Sequence, residues 1–462
     1  MENILSKFRP YWYSEGGPKE ILSLAIPLVL STSSYTLQLF IDRLFLTWHS
    51  KDSIAAALPA YLVLWTFLGP IYAIVSFITT FIAQYRAKKQ FKQIGNSIIQ
   101  ALIFSVFSSI VFLLLIPFAE NIFSWFGHSG NILKEETVYF QILIFGCIPY
   151  LLTSSISSFF SGLGKGWIVL KINFLITLLN IILGYGLILG NFNLPKLGII
   201  GAGIAANSAY FIASIVAIYL LFKETGREDI FKIKSLLFWK PDFNLMSKYI
   251  KIGGPYALML LIEIFTWTWF DLLLGEVSIN ALAATNIAIN INNISFMPAL
   301  GFGNATQSLV SHQIGAKKIN IAIKTTYNSL FLVSIYMFVI AVLFVALPNL
   351  FLIPYTWGEN KNLDFLADAK ILLRFVAAYT LFDAMIVVFA GALRGAGDTQ
   401  FIMITTLLLA FGIIIIPTYI ACKYLNLGLY TVWAFVSSYV ILSGIILYLR
   451  FKSNIWQKIE VV

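Results

Sequence analysis

Tyr379 and Asp383 stand four residues apart in a mostly apolar run from Ile371 to Leu393, and Glu263 stands in another from Gly253 to Gly275. A spacing of four puts Tyr379 and Asp383 on one helical face, where their oxygens can converge on a single ion. Two carboxylates with a hydroxyl suit a hard cation such as Na⁺, because oxygen ligands replace its hydration shell. They suit a proton equally well, since burial disfavours a charged carboxylate. The residue types leave both ions open. A carboxylate at bilayer depth costs roughly 2.5 to 3.5 kcal/mol even on lenient insertion scales, so it usually marks a pathway or a water-filled cavity. Ion-coupled transport is the first reading.

Other polar groups fall near these in the sequence. Asn286 and Asn290, one turn apart on the eighth apolar helix, either add amide oxygens or hold helices together. Trp267, one turn from Glu263, offers an aromatic face beside a carboxylate, an arrangement that favours lipophilic organic cations. Asp42 closes the first helix beside Arg43, with an interfacial ion pair as the plainer alternative, and Asn180 lies deep in the fifth. Arg374, Asp271 and the three histidines, His49, His128 and His312, read as interfacial. Cys147 and Cys422 have no accompanying Cys/His spacing, so neither a disulfide nor a metal site is expected. No nucleophile–base pair or nucleotide loop is visible, which argues against an enzyme or a cofactor beyond the coupling ion.

The elements that must carry these residues are membrane helices. The 462-residue chain is 59% hydrophobic and 11% charged, against about 25% charged for a soluble domain. About twelve apolar windows of spanning length recur, near 20–47, 53–84, 93–119, 135–161, 166–189, 199–223, 247–275, 278–312, 322–348, 366–393, 400–424 and 428–450. Pro27, Pro59, Pro255 and Pro417 fall inside them and predict kinks, with Pro27 the conformational candidate. The abundant aromatic residues are expected mostly at lipid or interfacial positions.

Net charge is +10, but the basic residues fall in alternate loops, which excludes a nucleic-acid face. Arg86, Lys88, Lys89 and Lys92 follow the second helix, Lys223, Arg227, Lys232, Lys234 and Lys240 the sixth, Lys317 and Lys318 the eighth, and Arg450 and Lys452 the twelfth. Glu135, Glu136, Glu276, Glu359 and Asp364 occupy the opposite loops. The positive-inside rule then places both termini in the cytoplasm of a multi-pass protein in the cell (inner) membrane. The basic start, Lys7 to Lys19, precedes a helix too long for a cleaved signal, so that helix is retained.

The polar stretch Lys223 to Lys251 divides the windows six and six. Ala87-Lys88-Lys89 answers Ala316-Lys317-Lys318 at an offset of 229 residues, and Gly162-Leu163-Gly164 answers Gly395-Ala396-Gly397 at 233. A nearly constant offset that pairs even helices with even helices implies two repeats of the same topology. The expected organisation is a cytoplasmic segment at 1–19, a first lobe at 20–223, a linker at 224–246, a second lobe at 247–450 and a tail at 451–462. The fold class is thus all-α, with twelve transmembrane helices in two pseudo-symmetric six-helix lobes around a central cleft.

Four passages carry a family resemblance: PLVLSTSSYTLQLFIDRLFL at Pro27 to Leu46, SGLGKGWIVLKINFLITLLNIILGYGLILG at Ser161 to Gly190, the LGIIGAGIA after it, and FDAMIVVFAGALRGAGDTQ at Phe382 to Gln400. In this order, over nearly the full length, the chain resembles the multidrug and toxic compound extrusion (MATE) family, in its NorM-like branch. The resemblance implies export of amphipathic, often cationic, drugs or toxic metabolites driven by Na⁺ or H⁺. It implies a cation site at Glu263, Tyr379 and Asp383, and a secondary cation or proton site at Asp42 and Asn180. Where relatives often carry a second Asp or Asn four residues after that asparagine, this chain has Gly184, and Arg43 stands where a small or hydroxyl residue is common. The expected partners are small organic molecules and membrane lipids, with the chain acting as a monomer. A lipid-linked saccharide flippase of a related two-lobed fold is the alternative, and the sparse intramembrane basic residues argue against it.

Overall fold

A computed structural model describes residues 10–226, 240–355, 364–425 and 427–462. Lys7, Arg227, Lys232, Lys234 and Glu359, used above in the charge reading, lie outside the described residues, as do the side chains of Glu276 and Asp364.

The described residues are helical, without strands. In order the helices are α1 Pro18–His49, α2 Lys51–Ser76, α3 Ile78–Ala87, α4 Phe91–Leu113, α5 Ala119–Trp125, α6 Gly130–Phe145, α7 Cys147–Gly162, α8 Gly166–Leu189 and α9 Ile199–Gly226. They continue as α10 Phe243–Val277, α11 Ile279–Gly315, α12 Ile319–Ala346, α13 Pro348–Leu352, α14 Asp364–Ala396, α15 Thr399–Leu409, α16 Ile416–Lys423 and α17 Leu429–Lys452. Ten stretches are long and apolar enough to cross a membrane, and the bent pair α6–α7 makes eleven. The twelfth expected span, α11, has 37 residues, but its six asparagines lower its apolarity.

The bend of 46° between α6 and α7 falls at Gly146. Breaking the helix there frees carbonyls, and Asn207 of α9 donates to Ile142 O at 2.6 Å. A Cβ at Gly146 would collide with the Asn207 amide. The bend rests on Pro149, which has no N–H to give Phe145 O, on Gly146, and on an asparagine from another helix. Pro27, Pro59 and Pro255 sit within α1, α2 and α10. Pro417 follows a π-helical stretch, Ala410–Ile415, which links α15 to α16 and widens the backbone just before the proline.

Two compact units form, one from the described residues of Met1–Val29 and Leu258–Val461, the other from Leu30–Ala257 and Val462. The divisions fall inside α1 and α10. Gly301 of α11 lies so close to α1 that a Cβ would meet Val29 Cα at 2.6 Å, which joins the first turns of α1 to the second half of the chain. Correspondingly, Tyr249 of α10 packs its ring 4.7 Å from that of Phe81 on α3.

The chain ahead of each of these helices is also anchored within its unit. Before α1, Tyr11 bonds Asn328 of α12, Asn328 donates back to Gly16 O at 2.7 Å, and Lys318 pairs with Glu15 at 2.7 Å. Gly16 has φ +72, a conformation that other residues reach only at a cost. Before α10, Gln100 of α4 accepts from Asp242 N at 2.9 Å and donates to Lys240 O at 3.0 Å.

Matched devices recur in the two halves. Ser50 and Ser278 cap α2 and α11, accepting from Ser53 N at 3.0 Å and Ala281 N at 2.9 Å. Each such cap is worth about 1 kcal/mol. Lys89 and Lys317 both turn the chain with positive φ, at 57° and 59°. Lys165 pairs with Glu224 at 2.6 Å near the ends of α8 and α9, and Asp398 pairs with Arg450 at 2.7 Å near those of α15 and α17. The two bridges have opposite polarity.

Candidate functional site

In the unit that contains Leu258–Val461, α10 supplies Glu263 and α14 supplies Tyr379 and Asp383. The α14 stripe Val376, Tyr379, Asp383 and Val387 is buried, with Tyr379 3% and Asp383 8% exposed. One oxygen of Asp383, Oδ2, is buried without a hydrogen-bond partner. Tyr379 lies within electrostatic range of Asp383, and Arg394 within range of Glu263. A residue that the sequence reading missed joins them. Tyr439 of α17 packs against the core that contains Tyr379 and comes within range of both Glu263 and Asp383. The arrangement is two carboxyls facing phenolic hydroxyls in a low-dielectric setting, able to hold a small cation or a proton.

The neighbouring candidates are placed differently. Asn286 and Asn290 are exposed on the face of α11 opposite Ala284, Ala288 and Ile291. They share no hydrogen bond with other helices among the described residues, so they do not hold helices together: their side chains point away from the packed seam. Trp267 is 36% exposed and packs edge-on to Phe270 at 5.9 Å. Arg374 is exposed.

In the other unit, Asn180 is fully buried and, with its amide nitrogen toward Asp42, donates to both carboxylate oxygens at 2.8 and 3.2 Å. Among the described residues Arg43 makes no ion pair with Asp42; its side chain is exposed and lies within range of Tyr61 and Tyr139. The interfacial ion pair considered from the sequence is not formed. Gly184 is beside Asp42: a Cβ there would lie 3.7 Å from Asp42 Oδ1.

Next to Asp42 stands a wall of half-buried tyrosines from α1, α2, α7 and α9. Tyr35 and Tyr61 share a hydroxyl–hydroxyl bond of 2.6 Å, and Tyr61 stacks on Trp65 at 6.3 Å. Tyr150 contacts Trp65, Tyr72 and Tyr210 at 6.3, 6.0 and 5.1 Å. Tyr210 and Tyr139 are within range of Asp42. These rings are half-buried within the unit and belong to the minority outside the lipid or interfacial placement expected of most aromatics. The spacing of Tyr61, Trp65 and Tyr72 on one helical face was the available signal.

Glu136 departs from its expected loop position. It lies within α6, is 0% exposed, and bonds His128 Nδ1 at 2.8 Å. The adjacent Glu135-Glu136 pair reads as a loop by charge, while one of the two faces the core.

Paired helical units with carboxylates at membrane depth define a polytopic membrane transporter. The MatE family model matches residues 27–186 and 255–420, one stretch in each half, and the chain belongs to the MatE family. It is a transporter rather than an enzyme. It is 27% identical to "Probable multidrug resistance protein NorM" of Oceanobacillus iheyensis, over 90% of this chain and 92% of that protein. It is 25% identical to "Multidrug resistance protein MdtK" of Photorhabdus laumondii, over 87% and 86%. Among solved structures, an outward-facing multidrug resistance MATE family transporter of the MOP superfamily is similar with a TM-score of 0.87 at 18% identity, over 97% of this chain and 98% of that one. The eukaryotic MATE transporter AtDTX14 is similar at 0.82 and 17%, over 95% and 96%. The fold is the twelve-helix, two-lobed MATE fold.

Proposed function

We propose that the chain is a cation-coupled antiporter that exports amphipathic, often cationic, organic molecules by alternating access of its lobes. The lobes are residues 20–223 and 247–450, joined by the linker 224–246, in an inner membrane with both termini cytoplasmic. Na⁺ or H⁺ bound at Glu263, Tyr379 and Asp383 favours one orientation, organic substrate favours the other, and the two compete through the cycle. The observation that carries this reading is the buried, unpartnered oxygen of Asp383, with Tyr439 in electrostatic range of both Asp383 and Glu263. An orphaned buried carboxylate oxygen is costly unless a mobile positive charge periodically occupies it.

The tyrosine wall beside Asp42 supports the substrate side of the reading, since aromatic faces and hydroxyls near one carboxylate suit flat organic cations. One elementary charge crossing about 100 mV releases about 2.3 kcal/mol. At about 1.4 kcal/mol per decade, that sustains a substrate gradient of roughly fifty-fold. The test is reconstitution in liposomes, with Na⁺ and pH gradients imposed separately while ethidium movement is followed. Transport driven by one of them is expected, and indifference to both would overturn the proposal.

A further inference from the structure

Beyond the cluster at Glu263, α10 carries a second carboxylate that the sequence reading set aside as interfacial. Asp271 lies eight residues past Glu263, about 12 Å along the helix axis at about 1.5 Å per residue. Glu263, Trp267 and Asp271 follow one another at intervals of four and form a single stripe. All three are partly exposed, while Phe270 and Leu274, on the neighbouring face, are fully buried. The stripe therefore flanks the packed core rather than belonging to it.

Asp271 is only partly exposed. Its Oδ1 is buried and has no hydrogen-bond partner, and among the described residues no basic side chain pairs with it. An interfacial carboxylate is ordinarily hydrated or bridged to a cation. This oxygen has no protein donor and lies inside the apolar stretch Phe243–Gly275. A buried carboxylate oxygen without a donor is costly unless the carboxyl is protonated or a cation sits beside it for part of the time. Between it and Glu263, the exposed ring of Trp267 offers a π face on which a desolvated cation can pause.

We infer that Asp271 is a transient acceptor for the coupling cation, taking it at the end of α10 remote from the linker and handing it along the Trp267 face to Glu263. This rests on the cation-coupled reading above. Asp271 thus sets how readily the ion is captured from one side of the membrane, whereas Glu263 and Asp383 set whether its binding drives transport.

The test uses the full chain in liposomes with ethidium as substrate, varying Na⁺ at fixed pH, or pH without Na⁺, on one side at a time. Asp271→Asn should raise the half-saturating concentration of the driving cation roughly ten-fold on one side only, with the maximal rate within about two-fold of the unsubstituted protein. Asp271→Glu should restore the half-saturation. Should the asparagine variant not fold, Asp271→Ser carries the same expectation. Unchanged half-saturation on both sides, or a fall in maximal rate alone, would overturn the inference while leaving coupling in place. An unsubstituted protein that ignores both gradients would overturn the coupling proposal and this inference with it.

Discussion

Asp383 is the residue on which binding and stability pull in opposite directions. Its carboxyl is 8% exposed and leaves one oxygen unpartnered, so the folded protein carries a desolvation cost that a neutral amide would not. Asp383→Asn should therefore abolish gradient-driven ethidium transport while leaving the apparent melting temperature unchanged or higher. Loss of transport accompanied by a large fall in melting temperature would assign Asp383 a structural role instead. Gly184 offers the converse experiment. The nearest atoms to a Cβ there lie at 3.6 and 3.7 Å, ordinary contact distances, so Gly184→Asn should fold with a stability change within about 1 kcal/mol. Its amide would add a further ligand beside Asp42. Aggregation of that variant would show that the space is not open. Glu263, Tyr379 and Asp383 were legible because acids in apolar runs stand out by cost. Tyr439 was not, since one tyrosine among 22 in an apolar helix carries no signal until packing brings it to the carboxyls.

At the scale of elements, hydrophobic windows locate membrane helices well because spanning length is set by the bilayer and not by sequence detail. They carry no information on bends, and they fail where a helix carries polar residues. Hydropathy does not mark the α6–α7 break at Gly146, although Pro149 three residues on was a sequence signal for it; the compensating donor, Asn207, lies on another helix. Likewise α11 was legible as a span by length, while the direction of its asparagines was decided only by which face met Ala284 and Ala288's neighbours. Gly146→Ala should displace Asn207 from Ile142 O and destabilise the protein by about 1–3 kcal/mol, read as a lowered melting temperature in detergent. Asn207→Ala should cost a similar amount, and the two effects should be less than additive because they remove the same bond. Full additivity would separate the bend from that hydrogen bond.

At the scale of the whole molecule, the repeat read from Ala-Lys-Lys and Gly-x-Gly strings reappears as matched caps, matched positive-φ lysines and bridges of reversed polarity. The crossing of α1 and α10 from one compact unit into the other was not legible. It depends on Gly301 meeting Val29 and on Tyr249 meeting Phe81, contacts between segments far apart in the chain. Thermodynamic coupling between ion and substrate must be reciprocal, so an ethidium gradient must be able to move the coupling ion. The decisive measurement loads liposomes containing the protein with ethidium, imposes no ion gradient, and follows ²²Na⁺ and internal pH as ethidium leaves. Countermovement of one ion by the unsubstituted protein, absent in Asp383→Asn, is the predicted result. Ethidium leaving with neither ion moving inward would contradict it.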